Sequence, residues 1–247
     1  MKKTIIIYTF ILSILPCISY ANSIDLGAKA TQIAGEIIAN PAAFFYEFQQ
    51  DLETTTPLPP GKTYGFQTGI FPTLLPATYA NLSGKYRLHG EGRISPGLPQ
   101  LDIAGGYWNM IATKIATEQS KDINSLDFSG YYIDLIMSSS VSPKIRTFYG
   151  YKYSQLKASL KLNKAVDIAG AQVTSFDAGF RDDFLIAGIE HITSINKFWS
   201  IQMNYGIKEQ VLASKISWYG KYFEFGLNIY PEGILVIHPV VNFHLNF

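Results

Sequence analysis

The sequence predicts an all-β fold, a transmembrane antiparallel up-and-down β-barrel of about ten strands, eight or twelve being the neighbouring solutions. Three observations predict it. Apolar and polar residues alternate with period two over most of the chain after residue 62. The alternating runs approach the roughly 9–11 residues that a tilted strand needs to cross a bilayer, whereas strands of globular proteins are more often about 5–6 residues. Composition points the same way: 14% of the 247 residues are aromatic and 16% are charged, a balance suited to a surface that meets something less polar than water.

Taken in order, the chain opens with Lys2 and Lys3 ahead of a mostly apolar stretch from Thr4 to Leu15, which Pro16 ends. Ser19-Tyr20-Ala21 supplies the small-x-small pattern of a signal-peptidase site, so residues 1–21 are expected to be a cleavable export signal. The apolar core is too short for a spanning helix, which needs about 20 residues. Cys17, with Leu15 two positions earlier, invites a lipoprotein reading, but Pro16 stands where a small residue is needed. Cleavage after Ala21 leaves no cysteine, hence no disulfide, in the mature chain.

Residues 22–61 form the second region. Ile33, Ile37, Ile38, Phe44, Phe45, Phe48 and Leu52 recur at three- and four-residue spacing and predict an apolar helical stripe over 24–53. Asn40 followed by Pro41 has the form of an N-cap with a first-turn proline, which divides the stripe into two short helices. The stretch from Thr54 to Gly61 holds Pro57, Pro59 and Pro60 and is expected to run extended. We expect residues 22–60 to cap the periplasmic mouth or anchor on the membrane surface rather than act as a movable plug.

Residues 62–247 are expected to form the barrel. Phe223, Phe225, Leu227 and Ile229 alternate with Glu224, Gly226 and Asn228; Trp199, Ile201, Met203 and Tyr205 alternate with Ser200, Gln202, Asn204 and Gly206. Tyr131, Ile133, Leu135 and Met137 stand opposite Tyr132 and Asp134, and Leu82, Gly84, Tyr86 and Leu88 opposite Ser83, Lys85 and Arg87. Further strands are expected at 64–71, 100–108, 145–162, 184–192, 211–219 and 238–247. Between Thr147 and Leu162 the apolar set changes parity, from Tyr149, Tyr151 and Tyr153 to Leu156, Ala158 and Leu160. A bulge or a strand continuing past the membrane would each produce that change. Trp199, Trp218, Tyr219, Tyr222 and Tyr230 cluster near strand ends, where amphipathic rings settle between headgroups and acyl chains.

The chain closes on Val241, Phe243, Leu245 and Phe247, alternating with Asn242, His244 and Asn246. This pattern resembles the C-terminal assembly signal of bacterial outer-membrane proteins. The resemblance implies a Gram-negative outer membrane as location, with its lipids and the barrel assembly machinery as partners. With the last strand descending to the periplasm, the connections at Gly220, Ser194 to Asn196, Ser138 to Pro143 and Gly92 to Pro99 fall on the periplasmic side. The longer polar segments 109–126 and 163–182 fall outside, as in bacterial barrels.

The polar face gathers Lys85, Arg87, Asp134, Lys152, Glu190, Lys215 and Glu224, the residues expected to line the lumen. They would form either a solute path or an ion-pair network filling a narrow barrel. The formal charge of +1, falling to −1 once Lys2 and Lys3 leave with the signal, provides no basic footprint for nucleic acid. No metal-ligand cluster, G-x-S-x-G or phosphate loop is present, so no cofactor, metal or catalytic residue is assigned. His191 and Ser194, three apart on a strand, point to opposite faces; the His and Ser two apart used by outer-membrane phospholipases and lipid A deacylases are missing.

Two local features resemble known barrels. Asn40-Pro41-Ala42 resembles the Asn-Pro-Ala of the plug in long-chain fatty-acid transporters of the outer membrane, although this chain is much too short for their larger barrel. An amphipathic helix ahead of a barrel is similar to the arrangement in the palmitoyl transferase of lipid A. Taken together, the sequence predicts a small channel or carrier for small or hydrophobic solutes, not an enzyme. A structural or surface-interaction barrel with a filled lumen is the alternative, and a lipid-modifying enzyme the second.

Overall fold

Ten antiparallel strands close into a barrel in simple chain order, each strand paired with the next and the first with the last. The structure is a computed structural model, and it describes residues 47, 49–51, 53, 55–71, 80–109, 123–168, 171–194, 196–231 and 237–247, all within the compact unit Ala42–Phe247. The expected signal (1–21), Asn40-Pro41-Ala42 and most of the expected helical stripe lie outside these residues.

The strands are β1 (Tyr64–Phe71), β2 (Ala80–His89), β3 (Gln100–Asn109), β4 (Ile123–Ser142), β5 (Ile145–Ile168), β6 (Ala171–Ser194), β7 (Lys197–Gly206), β8 (Leu212–Tyr219), β9 (Phe223–Ile229) and β10 (Ile237–Asn246). Closure rests on β1 lying antiparallel to β10, with Gly65 opposite Asn246, Phe66 opposite Leu245 and Thr68 opposite Phe243. The seam ends in backbone bonds, the Thr63 and Phe247 amides donating to the Phe247 and Tyr64 carbonyls. No sheet edge is left in the belt, as a backbone in lipid requires.

Burial is inverted relative to a water-soluble domain. Along β7 every odd residue from Lys197 is exposed and every even one buried. Ile201 and Met203 therefore stand outside, while Ser200, Gln202 and Asn204 are enclosed. Phe66, Leu82, Ile133, Trp199 and Phe225 continue the exposed apolar set around the wall. A contiguous apolar exterior on this scale far exceeds the few hundred Å² usual for a soluble monomer, and hydrocarbon is the solvent it suits. The four terminal residues Val241, Phe243, Leu245 and Phe247 belong to this outer face, with Phe243 opposite Phe223 and Val241 opposite Phe225.

β5 and β6, 24 residues each, are the main departure from the expected strand lengths. At about 3.4 Å per residue, 24 residues reach roughly 80 Å, well beyond a hydrocarbon core of about 30 Å. Segment 163–182, expected as an outer loop, is thus largely a continuation of this hairpin, and Ile123–Leu126 belongs to β4 rather than to a loop. Among the described side chains of the extension, Lys161, Asn163, Lys164, Ala165, Thr174 and Ser175 are exposed, on both faces of the strands. Pairing of β5 with β6 is unbroken from Ile145 to Lys161. The parity change is therefore not a bulge in this pairing: Tyr149 and Tyr151 face out, whereas Leu156 turns inward into an apolar cluster with Trp108 and Phe128.

Inside the wall, large rings lie flat where a facing residue has no side chain. A Cβ at Gly188 would meet Phe148 Cζ at 2.2 Å and the Ile201 carbonyl at 2.7 Å, whereas one at the lipid-facing Gly84 would meet nothing within 4 Å. Gly188→Val is expected to cost about 1–3 kcal/mol through overpacking, lowering the urea midpoint of the refolded barrel, and Gly84→Ala to leave the midpoint in place.

Candidate functional site

The lumen is occupied by the chain's own residues 47, 49–51, 53 and 55–59. Glu47 and Gln49–Asp51 are helical, and from Thr55 the segment runs extended. Thr54-Thr55-Thr56-Pro57 cannot carry a helix onward, because proline restricts the residue before it and offers no N–H of its own. At the bottom the chain reverses into β1. Pro59-Pro60-Gly61-Lys62 carries the residues of a type II turn, with Gly61 at φ +79° and the Lys62 amide donating to the Pro59 carbonyl at 3.1 Å.

Capping or anchoring was the expectation for residues 22–60; the described part of that region instead threads the barrel. Neither Thr56 nor Leu58 is an obvious buried residue in a short proline-rich stretch, yet Leu58 is fully enclosed. A segment with three prolines in residues 57–60 offers backbone carbonyls but few amides, so the wall must supply donors. It does so with side chains from several strands.

At the lower end, three donors converge on one oxygen. The Leu58 carbonyl accepts from Arg146 Nη1 at 2.7 Å, Gln100 Nε2 at 3.0 Å and Arg87 Nη2 at 3.1 Å. Arg87 also donates to the Pro59 carbonyl at 2.8 Å, and the Leu58 amide donates to Asp102 Oδ2 at 2.8 Å. Lys85 Nζ holds both the carbonyl and the hydroxyl of Thr56 at 2.8 Å. Behind the clamp each guanidinium keeps an acid: Arg146 Nε lies 2.6 Å from Glu190, and Arg87 Nε lies 3.4 Å from Asp102.

At mid-depth Lys152, fully buried, pairs with Glu53 at 3.1 Å and donates to Gln50 at 3.0 Å. Ser154 bridges Gln49 and Glu53, while Gln202 donates to the Thr55 hydroxyl at 2.7 Å and Asn204 to Gln50 at 3.2 Å. Toward the upper end Asp51 receives Asn228 at 2.6 Å and the Tyr230 hydroxyl at 2.8 Å, and its other oxygen lies 2.6 Å from His238 Nδ1. His238 Nε2 is 3.5 Å from Glu47.

The seven residues assigned to the lumen from the sequence all face inward, in different company. Lys85, Arg87 and Lys152 grip the threaded segment, and Glu190 stands behind Arg146. Asp134 is buried directly across from Lys152 in the β4–β5 register. Lys215 and Glu224 are 2.5 Å apart in a separate wall network, where Glu224 also accepts from Gln67, Ser217, Tyr219 and Asn242 at 2.7–2.9 Å. Sequence reasoning passed over Arg146, Asp102, Gln100 and His238 on the wall, and Glu47, Asp51 and Glu53 on the segment; Tyr219 and Tyr230, expected at the membrane interface, are instead buried inside, where their hydroxyls donate to Glu224 and Asp51. Arg146 lies within the expected strand 145–162 and shares the parity of Lys152, so alternation alone could have found it. The acids of the segment carry no such signal, since a helical stripe is read by its apolar face. His191 is exposed, as is Ser194, on the outside of β6 and at its end.

A cavity of about 280 Å³ opens at the lower mouth, lined by Pro59, Phe198, Gly220, Tyr222, His244 and Phe247 among others. Above it Phe198 stacks on Tyr219 with ring centroids 4.4 Å apart, beside a narrow space that reaches Thr56, Gln67 and Lys85.

Together these features define a class: a membrane β-barrel whose polar lumen is filled by a tethered segment of the same chain. No protein-family model and no curated protein matches the chain. Among solved structures it is similar to the toluene transporter TbuX of Ralstonia pickettii, at 11% identity over 76% of this chain and 90% of that one. The TM-score is 0.24, and a likeness this slight carries no functional inference.

Removing Arg146 would strand Glu190, which has no exposure. Breaking a buried pair from one side costs about 3–5 kcal/mol. Arg146→Ala is therefore expected to shift chemical unfolding strongly, and Lys208→Ala, from the solvent-exposed pair with Glu209, to leave it unchanged.

Proposed function

We propose that the mature chain is an outer-membrane barrel that serves as a gated conduit for small or hydrophobic solutes, closed at rest by residues 47–59. Export by residues 1–21 and insertion by the barrel assembly machinery, which would read Val241, Phe243, Leu245 and Phe247, bring it to the Gram-negative outer membrane among that membrane's lipids. One observation carries the reading. Lys85, Arg87, Arg146 and Lys152 all place donors on a segment that enters from outside the sheet, Arg87 and Arg146 in addition to their wall partners Asp102 and Glu190. A barrel filled for stability alone closes its lumen with wall side chains, as the Lys215–Glu224 network does on the opposite side. An occupant continuous with β1 and otherwise held by hydrogen bonds and the Lys152–Glu53 ion pair can be exchanged for water and solute.

The second reading, a structural or surface-interaction barrel, is favoured by the β5–β6 hairpin, which extends far beyond what a bilayer crossing needs. Planar-bilayer conductance of residues 22–247 separates the two. The conduit reading expects a low, intermittent conductance that rises when Lys152→Met removes the mid-depth grip or when residues 22–60 are deleted. A folded, heat-shifted barrel that stays silent in all three forms would sink it and leave the hairpin as the place to look.

A further inference from the structure

We infer that Leu58 occupies a solute-binding site and that the site recognises a small amide or short peptide bearing a branched aliphatic side chain. The inference rests on the conduit reading above and names the chemistry that would displace the occupant. Three features of the Leu58 environment each fit one part of such a solute.

The acceptor half is the convergence of Arg146, Gln100 and Arg87 on a single carbonyl oxygen within 2.7–3.1 Å. Ordinary wall packing needs one donor per backbone carbonyl; three, two of them guanidinium, are what a binding site concentrates on a ligand oxygen. The donor half is Asp102 Oδ2, 2.8 Å from the Leu58 amide. The aliphatic half is a space that exists because residue 65 is glycine: a Cβ there would approach Leu58 Cδ2 to 2.8 Å. Leu58 itself has no exposure. An N–H, a C=O and an isobutyl group are therefore each recognised separately.

Charge decides between a neutral and an anionic solute. Arg146 keeps Glu190 and Arg87 keeps Asp102, so the clamp is already balanced before any ligand enters. A neutral amide preserves that balance, as the present occupant does; a carboxylate would bring an uncompensated charge into a buried site. Access is from the lower mouth, where the 280 Å³ cavity reaches Pro59, the residue next to the clamp. Solute binding and release of the segment are then one event, because both need the same donors.

The test reads the exposure of the segment directly. Thr55 is buried and held by Gln202, so in the chain carrying Cys17→Ser a Thr55→Cys thiol reacts slowly with a maleimide while the lumen is closed. A tethered competitor acts at an effective concentration in the millimolar range, so the probe, N-acetyl-leucinamide, is added to tens of millimolar. Labelling is expected to rise severalfold and to saturate, with the heat-shifted fold retained throughout. N-acetylglycinamide, which lacks the isobutyl group, is expected to do little, and so is 4-methylpentanamide, which keeps the carbonyl and isobutyl groups but lacks the N–H that replaces the Leu58 amide at Asp102. Gly65→Ala, which fills the aliphatic space and so crowds the resident Leu58 as well, is expected to raise labelling without probe and to abolish any further rise with it. Equal acceleration by N-acetylglycinamide would overturn the inference, as would labelling that Gln100→Ala speeds but no probe does, for the clamp is then a fastener only. Conductance keeps the two proposals apart. Probe-driven labelling without current leaves the site and removes the conduit; current without any probe response does the reverse.

Discussion

In hydrocarbon a backbone N–H or C=O has no water to turn to, and everything in this molecule follows from meeting that condition twice. The sheet meets it by closing on itself, and the pairing of β1 with β10 is the step that removes the last free edge. Closure turns one face of every strand toward lipid and the other toward a space too narrow to hold bulk water. Apolar residues satisfy the first environment. The second fills with groups that must find hydrogen-bond partners within a few ångströms, since an unpartnered buried polar group costs about 1–3 kcal/mol.

The threaded segment meets the condition a second time, from the other side. Its proline-rich part brings acceptors without donors, and its helical part brings Glu47, Asp51 and Glu53. The wall answers the first with Lys85, Arg87, Gln100 and Arg146, and the second with His238, Tyr230, Asn228 and Lys152. Charge and hydrogen-bond sense thus match along the length of the lumen. A wall of this composition without the segment would leave several of these groups dependent on water.

The barrel was legible because alternation is a backbone property: where one face meets lipid, period two must appear, and all ten strands announce themselves through it. Which face a residue takes was readable for the same reason: Phe243 and Phe223, both outward by parity, stand opposite one another in the sheet. The extension of β5 and β6 was hidden because Lys161, Asn163, Lys164 and Asp167 give the stretch the polar composition of a loop, although Leu160, Leu162, Val166 and Ile168 keep a strand's alternation through it. The inward set of charges was legible strand by strand, but not its partners. Lys85 and Arg87 gave parity and sign, while their true counterparts, the carbonyls of Thr56, Leu58 and Pro59, carry no side-chain signature at all. The apolar spacing of Ile33 to Leu52 directed attention to a surface-seeking face, and so to capping or anchoring. Glu47, Asp51 and Glu53, on the polar side of that pattern, are what fix the segment inside.

A segment held this way is secure without being permanent. Each bond is worth on the order of 1 kcal/mol net, because water or a solute could take the same donors. Of the ion pairs that lock the wall, Lys215 with Glu224 is made between wall residues alone, and Arg146 keeps Glu190 through Nε while Nη1 holds the Leu58 carbonyl, so both pairs would persist without the segment. The barrel's stability therefore resides in the sheet and its wall pairs, and the state of the lumen resides in a separate, exchangeable set of contacts. Of that set, Lys152–Glu53 is the most costly to break, being an ion pair with both members fully enclosed. The Leu58 clamp is the most readily substituted, because its occupant is a neutral peptide unit beside an open mouth. Exchange that begins at the clamp loosens the lower end first, while His238 and Tyr230 still hold Asp51 above it.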